Sequence, residues 1–382
     1  MKKILFATAA IMAAMTACNK EEANVVETPA ASEAKVWVEF TAGVATKAAL
    51  VEGDGTHSIV WEENDAISVN REIISTTESG AKVTFAGEVT EGFLAADNYS
   101  AVYPASAGKD FNEITVKAEQ TAVAEGFDDI VAVAYSADRS LQFKHVTSLI
   151  KFQVPSLDFK VNTVTFSADE DLAGKVSVAM SAEDATPKIT VKEGVKTVTL
   201  TGSFEAGKDY YVAVLPGEKT NLTVRFNGYL SKNWTSTVNI KQGHVANAGE
   251  LSAPEKFTWG VVGQHQGWDI KNPTPMYKVT DNVYAVLDIT LKHNGFKFAQ
   301  HGLQNWNTAN TSFGAWKDFA EPYVVTDWYQ VYTNNLGDQN KNLGVSDWSK
   351  KYDVYVKVMT NAGWGQELKY NVVVAGSKVT YP

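Results

Sequence analysis

The sequence predicts an all-β protein built as tandem β-sandwich units behind an export signal. Three observations predict it. Apolar and polar residues alternate with a period of two in segment after segment, the pattern of half-buried strands. Turn-forming residues separate these segments at roughly 8–12-residue intervals, the spacing of sandwich strands. No stretch carries the 3.6-residue apolar period of a long amphipathic helix.

The chain opens with Lys2 and Lys3 followed by the short apolar run "ILFATAAIMAA", the layout of a secretory signal over 1–17. A membrane-spanning helix needs roughly 20 apolar residues, and this run is shorter. "MTAC" then places small residues directly before Cys18, the single cysteine of the 382 residues, so a disulfide framework and a Cys-based metal site are excluded. The segment resembles a bacterial lipobox, with Met15 where that family prefers Leu; the resemblance implies that Cys18 is lipidated and becomes the mature N-terminus, against the alternative of a free thiol. The following Lys20, Glu21 and Glu22 resemble the surface-export signal of Bacteroidetes lipoproteins, or are an ordinary solvated charge cluster. Residues 18–34 read as a flexible tether rich in Ala, Ser, Thr, Glu and Pro.

Loss of Lys2 and Lys3 with the signal takes the formal net charge from −10 to −12. A chain this acidic, with no basic run, excludes nucleic acid as a partner. It also lacks the polybasic segment that holds peripheral proteins on anionic lipid, so the expected membrane contact is the lipid anchor alone.

The length predicts two or three domains, read as 35–155, 156–252 and 257–382. In the first, "KVWVEFTA" sets Val36, Val38 and Phe40 against Trp37, Glu39 and Thr41. "IVWEENDAISVN" (59–70) reads as a core tryptophan, Trp61, followed by a turn into a strand, with Asn64 able to take a left-handed conformation. His145 reads as a strand residue. A soft boundary falls near "VPSLDFK" at 154–160, and "FNGY" at 226–229 is an Asn-Gly hairpin signal. "ELSAPEKF" (250–257) is the clearest boundary. Beyond it, "VYAVLDITL" is expected to put Val283, Ala285, Leu287, Ile289 and Leu291 on one face. "HNGF" at 293–296 is a second hairpin signal, and "KYDVYVKVM" aligns Tyr352, Val354, Val356 and Val358.

The matches "TAGVATKA" (41–48), Trp61, Asp65 and Ile67 of "IVWEENDAISVN" (with Asn64 where the family has glycine), "AVYPAS" (101–106), "LQFKHVTSLIKF" (141–152) and "YYVAVLPGE" (210–218), in this order, resemble the fimbrillin-like proteins of Bacteroidetes. The resemblance implies two fimbrillin- or transthyretin-like units. It also makes Lys47 the candidate processing position for strand exchange in a pilus, although relatives discussed for such processing have Arg there. Many relatives are surface lipoproteins without that role.

Seven of the ten tryptophans and nine of the fifteen tyrosines lie at or beyond Trp259. One sandwich core needs fewer, so some are expected on the surface. "TWGVVGQHQGW" (258–268), "MYKV" (276–279), "GFKFAQ" (295–300) and "NWNTANTSFG" (305–314) together resemble the C-terminal glycan-binding domains of SusE/SusF-type outer-membrane lipoproteins, with Ala309, Thr311 and Ser312 lengthening the last loop. A carbohydrate-binding-module-like sandwich is implied. Trp259, in an apolar strand, is expected in the core. Trp268, after a glycine turn, stands between core and ligand, and Trp306, in a polar loop, is expected on the ligand with Asn310 beside it. Trp316, Trp328 and Trp348 each neighbour an acid, and one or two of them are expected to line a groove. Trp364 reads as a hairpin tip. Lys297 lies between Phe296 and Phe298, hence on the other strand face, where it either donates to sugar hydroxyls or is merely solvated.

Catalytic frames are missing from the sequence. The acidic runs "EEND", Asp128–Asp129 and Asp169–Asp171 are local neighbours rather than two carboxyls set across a cleft, as glycoside hydrolysis requires. His265, His293 and His301 lack the spacing of a helical zinc site. "DQNKNLG" (338–344) begins like an EF-hand loop but has Leu343 at the glycine position and Ser349 in place of the last Glu. The expectation is therefore a non-enzymatic, outer-membrane, surface-facing lipoprotein with no metal and no cofactor. It would bind a polysaccharide or oligosaccharide and work beside glycan-uptake or pilus proteins. The alternative is a fimbrial subunit or tip adhesin.

Overall fold

A computed structural model describes residues 34–43, 50–52, 55–57, 60–181, 183–184, 186–293, 295–304, 306, 312–314, 329–330, 332–333, 342–345, 347–359 and 367–379. Cys18, Lys20, Glu21, Glu22, Lys47, Asn310, Trp316, Trp328 and Trp364 lie outside the described residues. The described part is all-β, in several sandwich units. Its helices are three short 3-10 turns, Glu91–Ala95, Ala105–Ala107 and Gln264–Gln266. Among the described residues no helix is long and apolar enough to cross a membrane.

The first unit is an eight-stranded sheet that begins with Lys35–Gly43, paired antiparallel with Lys82–Thr90. Its two outermost strands, Ser140–Leu141 and Lys144–His145, are separated in the chain only by Gln142 and Phe143. The sheet therefore curls until its edges nearly meet, which leaves little open edge. The alternation in the first strand holds: Val38, Phe40 and Ala42 are buried while Trp37 is exposed. Trp61 is wholly buried and meets Phe85, Tyr103 and Phe143 edge-on at 4.9–5.4 Å. The turn behind it has Asn64 in the left-handed region (φ 72°). Asp65 accepts from the Glu62 amide at 2.9 Å and from the Tyr103 hydroxyl at 2.9 Å. His145 is buried in its short strand.

The second unit wraps a five-stranded and two three-stranded sheets around one core containing Phe152, Phe166, Tyr210 and Phe226. Strand pairing crosses the division read near residue 155. Ile114–Val116 and Glu119–Thr121 leave the first unit to pair with Ala173–Ala179 and Thr197–Thr201, and Ser148–Gln153 pairs with Asp209–Val214. Gln120 fastens this excursion. Its amide donates to the Lys117 and Ala213 carbonyls (2.9 and 2.7 Å) and accepts from the Ala213 amide at 3.0 Å. The "FNGY" hairpin forms with Asn227 and Gly228 at φ 49° and 90°, as a type I′ turn requires.

The third unit is a nine-stranded sheet opened by Lys256–Gly263. Its terminal strands, Tyr329–Gln330 and Tyr332–Thr333, are one residue apart in the chain yet pair with opposite ends, Glu367–Val374 and Ser312–Gly314. This sheet too closes on itself. Tyr352, Val354, Val356 and Val358 share its core. The strands on either side of "HNGF" do not pair with each other: Val283–Ile289 pairs with Thr274–Thr280 and Tyr352–Met359, whereas Phe296–Gln300 pairs with Lys256–Gly263. Nor does "VYAVLDITL" keep one face. Asp288 takes φ 60° and the register slips between Val286 and Ile289. Val283 and Ala285 consequently pack in one cluster and Val286, Ile289 and Leu291 in another, because an extra residue in a strand reverses the alternation beyond it.

The second and third units are joined by packing. Phe159, Tyr229 and Tyr277 form a ring cluster with centroids 5.0–5.5 Å apart. The Tyr229 hydroxyl accepts from the Leu287 amide at 2.9 Å, Tyr277 donates to Asp158, Lys256 pairs with Asp158 at 3.1 Å, and Arg225 donates to the Val279 carbonyl. Burial, with the carboxylate of Asp158 beside it, pushes the Tyr277 hydroxyl up, so it remains a donor at neutral pH.

Candidate functional site

The pairing of Lys256–Gly263 with Phe296–Gln300 sets Val261 opposite Phe298 and Val262 opposite Lys297. Neighbouring side chains point to opposite faces of a strand. Trp259, Val261, Phe296 and Phe298 accordingly enter the sandwich core, and Trp259 is 8% exposed. Lys297 takes the other face, beside Val262 and Ala299. There Ile270 and Leu303 fold back to make a small outer apolar cluster with those two residues.

Two loops cover that cluster, and each brings one indole. The first is braced from within. The Gln266 side chain donates to the Asp269 carbonyl at 2.7 Å and accepts from the Asp269 amide at 2.8 Å. Asp269 in turn accepts from the Asn272 side chain at 2.7 Å and the Lys271 amide at 3.0 Å, bonds that hold its carboxyl below the usual range. At the loop's apex Gly267 and Trp268 both adopt left-handed conformations, φ 75° and 60°. Of the nine non-glycine residues with positive φ among the described residues, six are Asn or Asp and Trp268 is the one aromatic. A bulky side chain there costs on the order of 1–2 kcal/mol, and such strain concentrates where geometry serves a ligand.

The second loop brings Trp306, 37% exposed. Its ring centroid lies 6.1 Å from that of Trp268 with the planes at 60°, and Lys297 Nζ stands 5.8 Å from the Trp306 ring. The fold thus assembles three residues distant in sequence, Trp268, Lys297 and Trp306, into one partly exposed group.

Beneath the first loop, His265 Nε2 meets Thr274 Oγ1 at 2.9 Å. Burial, with Lys292 nearby, pushes the His265 ring down to about 4, and burial also lowers His301. His265 Nδ1 and His301 Nε2 are buried without a hydrogen-bond partner among the described residues. Both rings are therefore neutral at pH 7.

Two further features lie nearby. His293 packs on Trp348 with centroids 4.2 Å apart, and Trp348 is 47% exposed. Trp348 is one of the three acid-flanked tryptophans from which the sequence leads one to expect a groove residue, whereas nothing in the sequence points to His293 as its neighbour. A groove of about 370 Å³ at the unit junction is lined by Asp158, Asn227, Tyr229 and Tyr277, but Asp158, Tyr229 and Tyr277 are engaged in holding the junction and Asn227 in bonding backbone of its own unit. Asp169 and Glu170 bind Thr220 and Asn221 of a neighbouring turn rather than facing each other across a cleft. Among the described residues no three His, Cys, Asp or Glu side chains are grouped to hold a metal ion.

No family model matches the chain, and no curated protein matches it. Among solved structures it is similar to a crystal structure of a "putative cell adhesion protein" from Bacteroides ovatus ATCC 8483. That similarity has 14% identity and a TM-score of 0.34, and covers 57% of this chain and 95% of the other.

Proposed function

We propose that the protein is a non-catalytic carbohydrate-binding protein, held at the outer membrane by lipid on Cys18 and facing the cell exterior. Trp268, Lys297 and Trp306 would form its sugar-contacting surface. The observation that carries this reading is the pair of inclined, partly exposed indoles, one kept in a strained left-handed conformation by a braced loop. A sugar ring presents an apolar C–H face and a rim of hydroxyls. Indole rings bury the face, at roughly 25 cal/mol per Å² of apolar surface, and lose little rotamer entropy in doing so. The Lys297 ammonium supplies donors for the rim. The first two units would carry this surface away from the anchor.

The test is a glycan array probed with the full mature chain. Retention on a restricted set of polysaccharides, lost in the Trp268→Ala/Trp306→Ala variant, is the expected result. Equal retention of the variant, or no retention of either, overturns the proposal.

A further inference from the structure

We infer that the sugar-contacting surface has a second subsite, Trp348 with His293, so that its ligand is a chain of several sugar rings and not a single sugar. The inference rests on the carbohydrate reading proposed for Trp268 and Trp306.

Trp348 is more exposed than Trp306, at 47% against 37%, yet its indole is fixed. The ring N–H donates to the Val345 carbonyl at 2.9 Å, and Val345 is itself buried in the sandwich core. The turn that carries the indole is fastened as well. Asp347 accepts from the Ser349 amide at 3.1 Å and pairs with Lys350 at 3.2 Å, while the Tyr352 hydroxyl donates to the Asp347 carbonyl at 2.8 Å. His293 packs against the indole at a tilt of 41°. An indole whose N–H is already bonded inward offers an apolar ring surface, the chemistry that meets a sugar's C–H face. The neighbouring imidazole offers ring nitrogens to hydroxyls. Because neither ring has to be ordered on binding, little of the contact free energy is lost to entropy.

The spacing to the first pair is fixed by the backbone. The Trp268 amide donates to the Gly263 carbonyl at 2.9 Å, and the Gln264 amide to the Gly295 carbonyl at 3.2 Å. Phe296 and Leu343 exchange amide–carbonyl bonds of 2.8 Å. This ladder ties the Trp268 loop, the His293 turn and the segment leading to Trp348 into one end of the sandwich. His293 and Lys297 are four residues apart, so their Cα atoms are separated by at most roughly 14 Å. An oligosaccharide can bridge a span of that size, and a chain that reaches both sites gains the second contact as an intramolecular step, which raises affinity without new chemistry.

The test is isothermal titration of the full mature chain with oligosaccharide ladders, each from the monosaccharide upward, made from a β-1,4-glucan, an α-1,4-glucan and a β-mannan. Affinity for the ladder that binds should climb with length and then level off. Trp348→Ala should weaken the longest members about tenfold, or about 1.4 kcal/mol, and leave the shortest unchanged, whereas Trp306→Ala should weaken all of them. His293→Ala, which leaves the Trp348–Val345 bond in place, should flatten the length dependence in the same sense and serves if Trp348→Ala does not fold. Wild-type affinity for long chains in both Trp348→Ala and His293→Ala, with Trp306→Ala still impaired, overturns the second subsite and spares the first. Wild-type binding by Trp306→Ala, or no binding of any ladder, overturns both.

Discussion

Acidification should loosen the C-terminal unit through His265. Burial and the nearby Lys292 push this ring down to about 4 in the folded chain, while the unfolded chain returns it to about 6.5. Between those values the unfolded state binds a proton that the folded state refuses, so stability falls as pH falls. The contribution is complete above pH ~6.5, is lost progressively down to pH ~4, and is flat below. A shift of this size corresponds to about 3.4 kcal/mol at about 1.36 kcal/mol per unit. Because solvent reaches part of the ring, about 2 kcal/mol is the expected loss. Urea unfolding of the full mature chain, with hydrogen-exchange pulses read on Tyr352–Met359 and Glu367–Val374, measures it. His265→Gln should be less stable than wild type at neutral pH but should lose less between neutral pH and the acid end of the window. Equal losses in the two proteins would refute the assignment, since the carboxylates that also titrate there are common to both.

The core and surface tryptophans should separate cleanly. Trp259→Ala empties a buried site among Phe257, Val261 and Phe298 and should destabilise the unit by about 3–5 kcal/mol; a change under about 1 kcal/mol in the same urea assay would contradict its placement. Cys18→Ala should release the protein from the membrane fraction, because no basic run in the sequence replaces a lipid anchor. Detergent-dependent partitioning of that variant would show that something else holds it. Replacing Lys20, Glu21 and Glu22 with Ala should protect the protein from external protease on intact cells, and undiminished cleavage would remove those residues from the export signal.

Local sequence predicted local structure well wherever one strand or one turn settled the matter. The alternation of Val36, Val38 and Phe40, the burial of Trp61, and left-handed Asn64 and Asn227 all follow from side-chain period and turn chemistry. What escaped depends on distant pairing. Ile114–Val116 and Glu119–Thr121 are three-residue strands, too short to show a period, and their partners lie more than fifty residues away. "HNGF" carries the chemistry of a hairpin, but strands drawn from elsewhere separate its two arms. The bulge at Asp288 reverses the strand faces, and a single aspartate in an apolar run does not announce it. For the site, loop polarity singled out Trp306 and the strand period turned Lys297 outward. The convergence of Trp268 with both, and the fixed pair of His293 and Trp348, exist only once the loops fold back over the sheet.

Titration of Trp306→Ala with a polysaccharide that the wild type retains, alongside its urea unfolding, decides whether this indole meets ligand or belongs to the core. The variant should keep stability within about 0.5 kcal/mol of wild type, as for other exposed positions, with affinity reduced about tenfold or more, a loss of about 1.4 kcal/mol or greater. Undiminished affinity, or unfolding at markedly lower urea, would place this indole among the structural tryptophans and contradict its ligand role.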